Sequence, residues 1–399
     1  MGAPRLNQPT SPIRGTGLEP GRLLAAVEAA VTYYRAQLEQ ADGPRAYLAE
    51  RGLGVVVQRE WPWRIGYAPP GWSSLTRHLR AVGFTAEELI GAGLSTGTRG
   101  KPDRLIDVFR DRIVFPVRDP VGHAVAFLGR ASPGAGDGVP KYLNSPETAI
   151  YNKGRLLFGV AEQQDRLSDR WTPVLVEGPA DVLAVWLSYS RSRRTGAVAL
   201  APCGTMLTDY QAAILRKLPG AAGGIVTAFD ADPAGRDAMD RAWQLFRQQR
   251  LPGPLLVAEF SASADPADLL RRPNGRAQLR AALQRRARPM LDTVVDHRLT
   301  RLVERYPRLL EDIDGRCAAV RVLVPLLFEA TSPDEAIRVA RRIVTHTGTG
   351  VDTVAIAAIA RLEDAYDLNP PIEAAETGFC LNGWAHEVGL IACDRDGGV

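Results

Sequence analysis

The chain has 399 residues, 45% apolar and 24% charged, with 49 Lys plus Arg against 45 Asp plus Glu. That length predicts two to three domains with an ample core, and the ordinary composition excludes a disordered, collagenous or low-complexity protein. The net charge of +4 permits a polyanionic partner without requiring one, and the four scattered cysteines (Cys203, Cys317, Cys380, Cys393) form no C-x-x-C pair, so neither a zinc ribbon nor a disulfide framework can be written.

Residues 1–21 are rich in Pro, Gly, Ser and Thr without apolar period and read as a disordered lead. From Arg22 the runs LLAAVEAAVTYYRAQLEQ and, after an Asp-Gly-Pro break, DGPRAYLAERGL predict two helices of a helical lobe that ends near residue 95. Within it WPWRIGYAPPGW is aromatic and Pro-broken, and Trp61, Trp63, Tyr67 and Trp72 read as core aromatics. Two β-rich runs, Ile113 to Val117 and Ala124 to Leu128, flank an Asp-Pro-Val-Gly turn and predict a hairpin. From Pro173 strands and helices alternate: PVLVE, DVLAVWLSY; AVALAPC, TDYQAAILRKL; GGIVTAFD, AGRDAMDRAWQLFRQ; PLLVAEF, DPADLLRR. Short continuous apolar runs between helices predict buried parallel strands joined by crossovers. Residues 285–366 read as helical and 367–399 as an irregular tail. No run approaches eighteen apolar residues and no apolar leader follows a charged start, so a cytoplasmic protein with no membrane contact is expected.

In an open parallel sheet ligands bind beyond the carboxyl ends of the strands, and acidic residues stand at those ends. Glu177 follows PVLV, with Asp181 one turn into the next helix; Asp230 ends IVTAF and is followed by Asp232; Asp265 lies beyond LLVAEF. Like charges gathered on one rim are costly unless a cation neutralises them, and an all-oxygen donor set suits Mg²⁺ or Mn²⁺. Phosphoryl transfer is the chemistry such a rim supports. Any single Asp here is as readily an N-cap, Asp232 before Pro-Ala-Gly above all. It is the combination of E-G-x-x-D after one strand and D-x-D-x-A-G-R after another that is specific. No G-x-G-x-x-G opens a helix and no Walker A pattern occurs.

The run Val174 to Leu270 resembles the Toprim domain of bacterial primases, type IA and II topoisomerases and some nucleases. RIVFPVRD, FLGR, KYLNSPET and NKGRLLFG, together with YLAERGL and RIGYAPPGW upstream, resemble the RNA-polymerase core of bacterial DnaG-type primases, so the likeness runs from about residue 25 to 345. It implies an α/β protein, α+β overall, with a mixed helical and β lobe over 22–165, a Toprim catalytic domain with a Rossmann-like parallel sheet over 166–284 and a helical subdomain over 285–366. It implies Glu177, Asp230 and Asp232 as catalytic residues and Glu177, Asp181, Asp230, Asp232 and Asp265 as holders of Mg²⁺ or Mn²⁺, with no zinc. The family usually reads D-P-D where this chain has Asp265-Pro266-Ala267-Asp268, which moves one carboxylate by a residue. The resemblance further implies template and nucleotide contacts by Arg110, Arg112, Arg130, Lys141, Asn144, Lys153 and Arg155, and a phosphate-facing turn at Gly204-Thr205.

Between residues 100 and 155 nine Lys or Arg stand against six acids, a stretch suited to phosphates. Only four of the chain's cations are Lys, which GC-rich codon bias explains. The resemblance implies a primase core that makes short RNA primers on single-stranded DNA from ribonucleoside triphosphates. With no zinc ribbon and no room for a helicase-binding domain, a replicative helicase or a separate zinc-ribbon protein is an expected partner. The rivals are a degenerate primase that only binds single strands or helicase, and a Toprim nuclease or topoisomerase using the same carboxylates.

Overall fold

The computed structural model describes residues 17–57, 61–98, 101–133, 138–168, 170–192, 194–204, 206–230, 232–260 and 264–366. The tail over 367–399, Thr205 and residues 1–16 of the lead lie outside them; Pro20, inside the expected lead, already opens the first helix as its N1 residue. The chain divides into two units, residues 1–287 and 288–399.

In the first unit, helix α1 (Pro20–Gln40) buries Leu23, Val27, Val31, Tyr34 and Leu38, one apolar stripe at helical spacing, and α2 (Asp42–Glu50) follows after a one-residue break. Strand β1 (Gly66–Ala68) runs beneath α1 so closely that a Cβ on Gly66 would stand 2.6 Å from Tyr34 Cβ. Helix α3 (Ser74–Ala81) and the capping-box helix α4 (Ala86–Gly91) lead to an antiparallel ribbon, β2 (Ser95–Thr98) and β3 (Lys101–Asp107). The lobe is therefore not helical throughout: β1 is too short to show alternation, and the ribbon's polar sequence carries no period. Strands β4 (Arg112–Arg118), β5 (Ala124–Ala131) and β6 (Tyr142–Asn144) complete an antiparallel sheet of order β1-β4-β5-β6, with the expected hairpin at its centre. Strand β4 is buried on both faces. Ile113, Phe115 and Val117 join the core of the second sheet while Val114 packs with Phe127, Tyr34 and the α1 stripe, which is why its sequence is continuously apolar.

The same unit continues with β7 (Leu157–Phe158), β8 (Trp171–Val176), α5 (Pro179–Ser188), β9 (Gly196–Pro202), α6 (Asp209–Lys217), β10 (Ile225–Ala228), α7 (Pro233–Gln248), β11 (Leu255–Val257), α8 (Pro266–Leu270) and α9 (Gly275–Gln284). These strands lie in the order β11-β10-β8-β9-β7, with β8 to β11 parallel and β7 antiparallel to β9. Chain order runs outward from β8 to β9 on one side and from β10 to β11 on the other. The topological switch point thus falls between β8 and β10, where a doubly wound sheet binds its ligand.

The second unit contains α10 (Met290–Arg305), α11 (Ile313–Leu323), α12 (Pro333–Thr347) and α13 (Val351–Tyr366). Arg338 donates to both oxygens of Asp292 at 2.9 and 3.1 Å, and Arg342 forks onto Asp296, clamping α12 to α10. Among the described residues no single helix is long and apolar enough to cross a membrane.

Candidate active site

The switch point carries the acidic residues. Glu177 follows β8 and accepts a 2.9 Å hydrogen bond from the Asp230 backbone N–H beyond β10, so one carboxylate spans the crevice between the two strands. Asp181 sits in the first turn of α5, 6% exposed, and accepts from Ala267 N–H in α8 at 3.2 Å. Asp232 caps α7 by accepting from Gly235 N–H at 2.8 Å. Gly235 is required there, because a Cβ on it would stand 2.1 Å from the Asp230 carbonyl oxygen. Asp265 caps α8 by accepting from Asp268 N–H. Capping and the rim position are thus compatible, each cap using one carboxylate oxygen.

The electrostatics show that these groups share a field. Burial, then the charges of Glu177 and Asp265, push the Asp230 carboxyl up to about 6. Burial and the charges of Asp265 and Asp230 hold Asp181 well above the usual carboxylate range. The outer face of Glu177 stays open to solvent, yet packing over its inner part, with Asp232 and Asp265, raises its carboxyl too. Lys141, at the head of β6, opposes the rise at both Glu177 and Asp230. Among the described residues no three His, Cys, Asp or Glu side chains already stand as a formed metal site. The donor chemistry nonetheless fits a hard divalent cation: all ligands are oxygens, and their mutual repulsion is what a cation relieves.

The basic residues divide into two groups. Arg112 is 5% exposed and donates to the carbonyls of Pro140 at 2.9 Å and Gly129 at 3.3 Å, so its guanidinium is engaged by the protein rather than offered to a phosphate. Arg130 lies between two rings, donating to Tyr47 Oη at 2.6 Å and Tyr142 Oη at 2.8 Å. Asn144 donates to the Cys203 carbonyl at 2.9 Å, tying β6 to the end of β9. Lys141, Lys153 and Arg155 are exposed; Arg155 stacks on exposed Tyr210, and Lys153 lies along Gly204. The loop carrying Lys153 and Arg155 is anchored on α6. Thr208 Oγ1 donates to Gly154 O at 2.6 Å, and the buried Gln211 amide donates to Lys153 O and Leu156 O at 2.9 and 2.7 Å. Arg110 spreads over the Trp72 ring, its Cζ 4.7 Å from the centroid.

Two outcomes depart from the sequence reading. Trp72 is 63% exposed and is no core residue, because the Pro69-Pro70-Gly71 turn carries it out past β1, whereas Trp63 is buried at 1%. Tyr47 and Arg51 at the end of α2, in the YLAERGL segment, carry no sequence signal of their own, yet Arg51 donates to Tyr47 Oη at 3.2 Å and to Asp268 at 2.8 Å. Asp268 accepts from Arg51 and also from Arg271 at 2.9 Å, so it is turned to arginines.

Family models match two stretches of the chain: "DNA primase catalytic core, N-terminal domain" over residues 33–164 and "Toprim-like" over 174–270. The DNA primase of Mycolicibacterium smegmatis is 34% identical over 334 residues, 82% of this chain and 49% of that protein. The chain thus spans about half the length of the curated relatives it matches. The RNA polymerase domain of Mycobacterium tuberculosis primase DnaG superposes with a TM-score of 0.66 at 32% identity, covering 82% of this chain and 99% of that one. A DnaG primase catalytic domain solved bound to single-stranded DNA gives 0.62 at 29% identity, over 82% of this chain and 96% of that one. With the carboxylate rim at the switch point and the lobe above it, the chain belongs to the DnaG-type primase family, as a catalytic core with a Toprim domain.

Proposed function

We propose that this chain is the catalytic core of a primase that synthesises short RNA on single-stranded DNA in replication, in the cytoplasm. The observation that carries the reading is the convergence of Glu177, Asp181, Asp230, Asp232 and Asp265 at the β8/β10 switch point, with Lys141 of the adjoining lobe in their field. In the reaction a primer 3′-hydroxyl oxygen bonds to the α-phosphorus of an incoming ribonucleoside triphosphate as the bond to the bridging oxygen of the leaving pyrophosphate breaks. The hydroxyl proton passes to a carboxylate of the rim or to water; Glu177, with its raised affinity for protons, is placed for that transfer.

Asp230, Asp232 and Asp265, supported by Asp181 and Glu177, are the residues to hold Mg²⁺ or Mn²⁺, which when bound supplies neutralisation of the charge that builds on the phosphates. Lys141, Lys153 and Arg155 are the exposed cations for template backbone and triphosphate, and the exposed Trp72 ring, backed by the half-buried Arg110 that also donates to the Asp107 carbonyl, is the aromatic face for bases. Arg130 and Asn144 serve the same groove by fixing its walls, while Arg112 holds the interior of the sheet containing β5 and touches no nucleic-acid strand. A replicative helicase or a zinc-ribbon protein is the partner this reading expects for initiation. The test is metal-dependent extension of a ribonucleotide primer on single-stranded DNA, which Asp230→Asn slows by about 10² to 10³-fold while single-strand binding persists. Extension undiminished by that substitution contradicts the assignment.

A further inference from the structure

Helix α8 has five residues, too few to hold its own direction, yet its cap residue is Asp265 of the rim. What fixes it comes from two sides. From the first turn of α5, Asp181 accepts the Ala267 N–H. From the other lobe, the end of α2 docks on it: Arg51 reaches Asp268 at 2.8 Å, with side chains only 13% and 23% exposed. Gly52 turns at φ +72° so close to α8 that a Cβ would meet Leu270 Cγ at 3.2 Å. Arg51 is itself held by Tyr47, whose hydroxyl also receives Arg130, and Arg130 holds Tyr142 with its hydroxyl over Gly178.

We propose that the Arg51–Asp268 pair is a positioning tie: it sets the placement of α8 and, through α8, that of Asp265 in the rim. Asp268 then acts on metal binding only through the helix that carries it. The displaced carboxylate of the D-P-A-D segment is an anchor between lobes and no additional ligand. This rests on the reading of the rim as a metal site.

The distinguishing experiment measures Mn²⁺ affinity of the full chain by titration calorimetry and by the electron paramagnetic resonance of free Mn²⁺, without turnover. It compares wild type, Arg51→Gln, Asp268→Asn, the double variant and Asp265→Asn. The double variant removes one charge of each sign, so the net charge is unchanged and any affinity lost is positional. The tie predicts a loss of about three- to tenfold in the double variant, no worse than in Asp268→Asn alone, since contacting residues are not additive. It predicts that Arg51→Gln also weakens Mn²⁺, against the electrostatic trend, because removing a nearby cation by itself strengthens cation binding. Should the double variant fail to fold, Arg51→Lys, which keeps the charge but not the fork onto Tyr47 and Asp268, gives the same direction. Wild-type affinity in the double variant, or tighter binding in Arg51→Gln, overturns the tie while Asp265→Asn still loses Mn²⁺. Mn²⁺ binding indifferent to Asp265→Asn contradicts the metal rim itself and the tie with it.

Discussion

The acidic rim and the basic arm of residues 100–155 are both clusters of charge, but the fold treats them differently. In the rim, five carboxylates converge and stay under-neutralised, held by backbone N–H groups or strand ends, and burial with neighbouring charge raises the carboxyls of Glu177, Asp181 and Asp230. In the arm, charges that look alike in sequence part company: Arg112 and Arg130 are drawn inside to carbonyls and tyrosines, while Lys141, Lys153 and Arg155 stay in solvent. A strand end fixes where a side chain emerges; a count of cations says nothing about which of them the protein consumes.

The sharpest way to break this contrast is in the rim. Asp230→Asn is expected to cost about 10² to 10³-fold in nucleotidyl transfer, the scale for removing one electrostatic support of a transition state. It is also expected to raise the thermal stability of the metal-free chain at neutral pH. The Asp230 carboxyl, held at about 6, keeps a proton that the unfolded chain has released, so stability is fully present below about pH 4 and falls as pH rises through 6. Melting temperatures of metal-free protein between pH 4 and 8 should show that fall, which Asp230→Asn flattens and added Mg²⁺ offsets chiefly above pH 6. A flat wild-type profile goes against it.

Next in size, Arg112→Ala is expected to destabilise by about 2 to 3 kcal/mol in chemical denaturation, by taking the 2.9 Å donor from the Pro140 carbonyl and opening a buried space beside Gly129. Single-strand affinity of the folded fraction should be nearly unchanged; a stable variant with weakened DNA binding reverses its placement. Trp72→Ala is expected to leave stability within about 0.5 kcal/mol and to cost about 1 to 2 kcal/mol in single-strand binding through lost stacking. The smallest effect belongs to Lys141→Ala and Lys153→Ala, each lowering the slope of log affinity against log salt by about 0.7 with no loss of stability.

Much of the catalytic domain was legible because its signals are local. Apolar runs of strand length alternate with helices, Glu177 stands directly after β8, and Asp230 and Asp232 lie in the turn from β10 to α7, so period and position agree. The ribbon Ser95–Asp107 was not legible: its residues are polar and aperiodic, and it is held by long-range bonds such as those from Thr76 and Leu75 to Asp107. Nor was the fate of Arg112, Arg130 or Trp72, which depends on neighbours as distant as Tyr47 and Pro140. Asp268 is the instructive case, a carboxylate one residue from a rim position whose partner, Arg51, is 217 residues away in sequence.

The most direct measurement of the central claim is synthesis of labelled RNA on mixed-sequence single-stranded DNA with Mg²⁺ or Mn²⁺, comparing wild type with the Asp230→Asn, Asp232→Asn double variant. The account predicts metal-dependent ribonucleotide addition by wild type, on a supplied primer if not from none, and its loss in the variant with strand binding intact. Addition unaffected by the two substitutions, or a wild type that binds metal and single strands yet adds no nucleotide in either format, contradicts it.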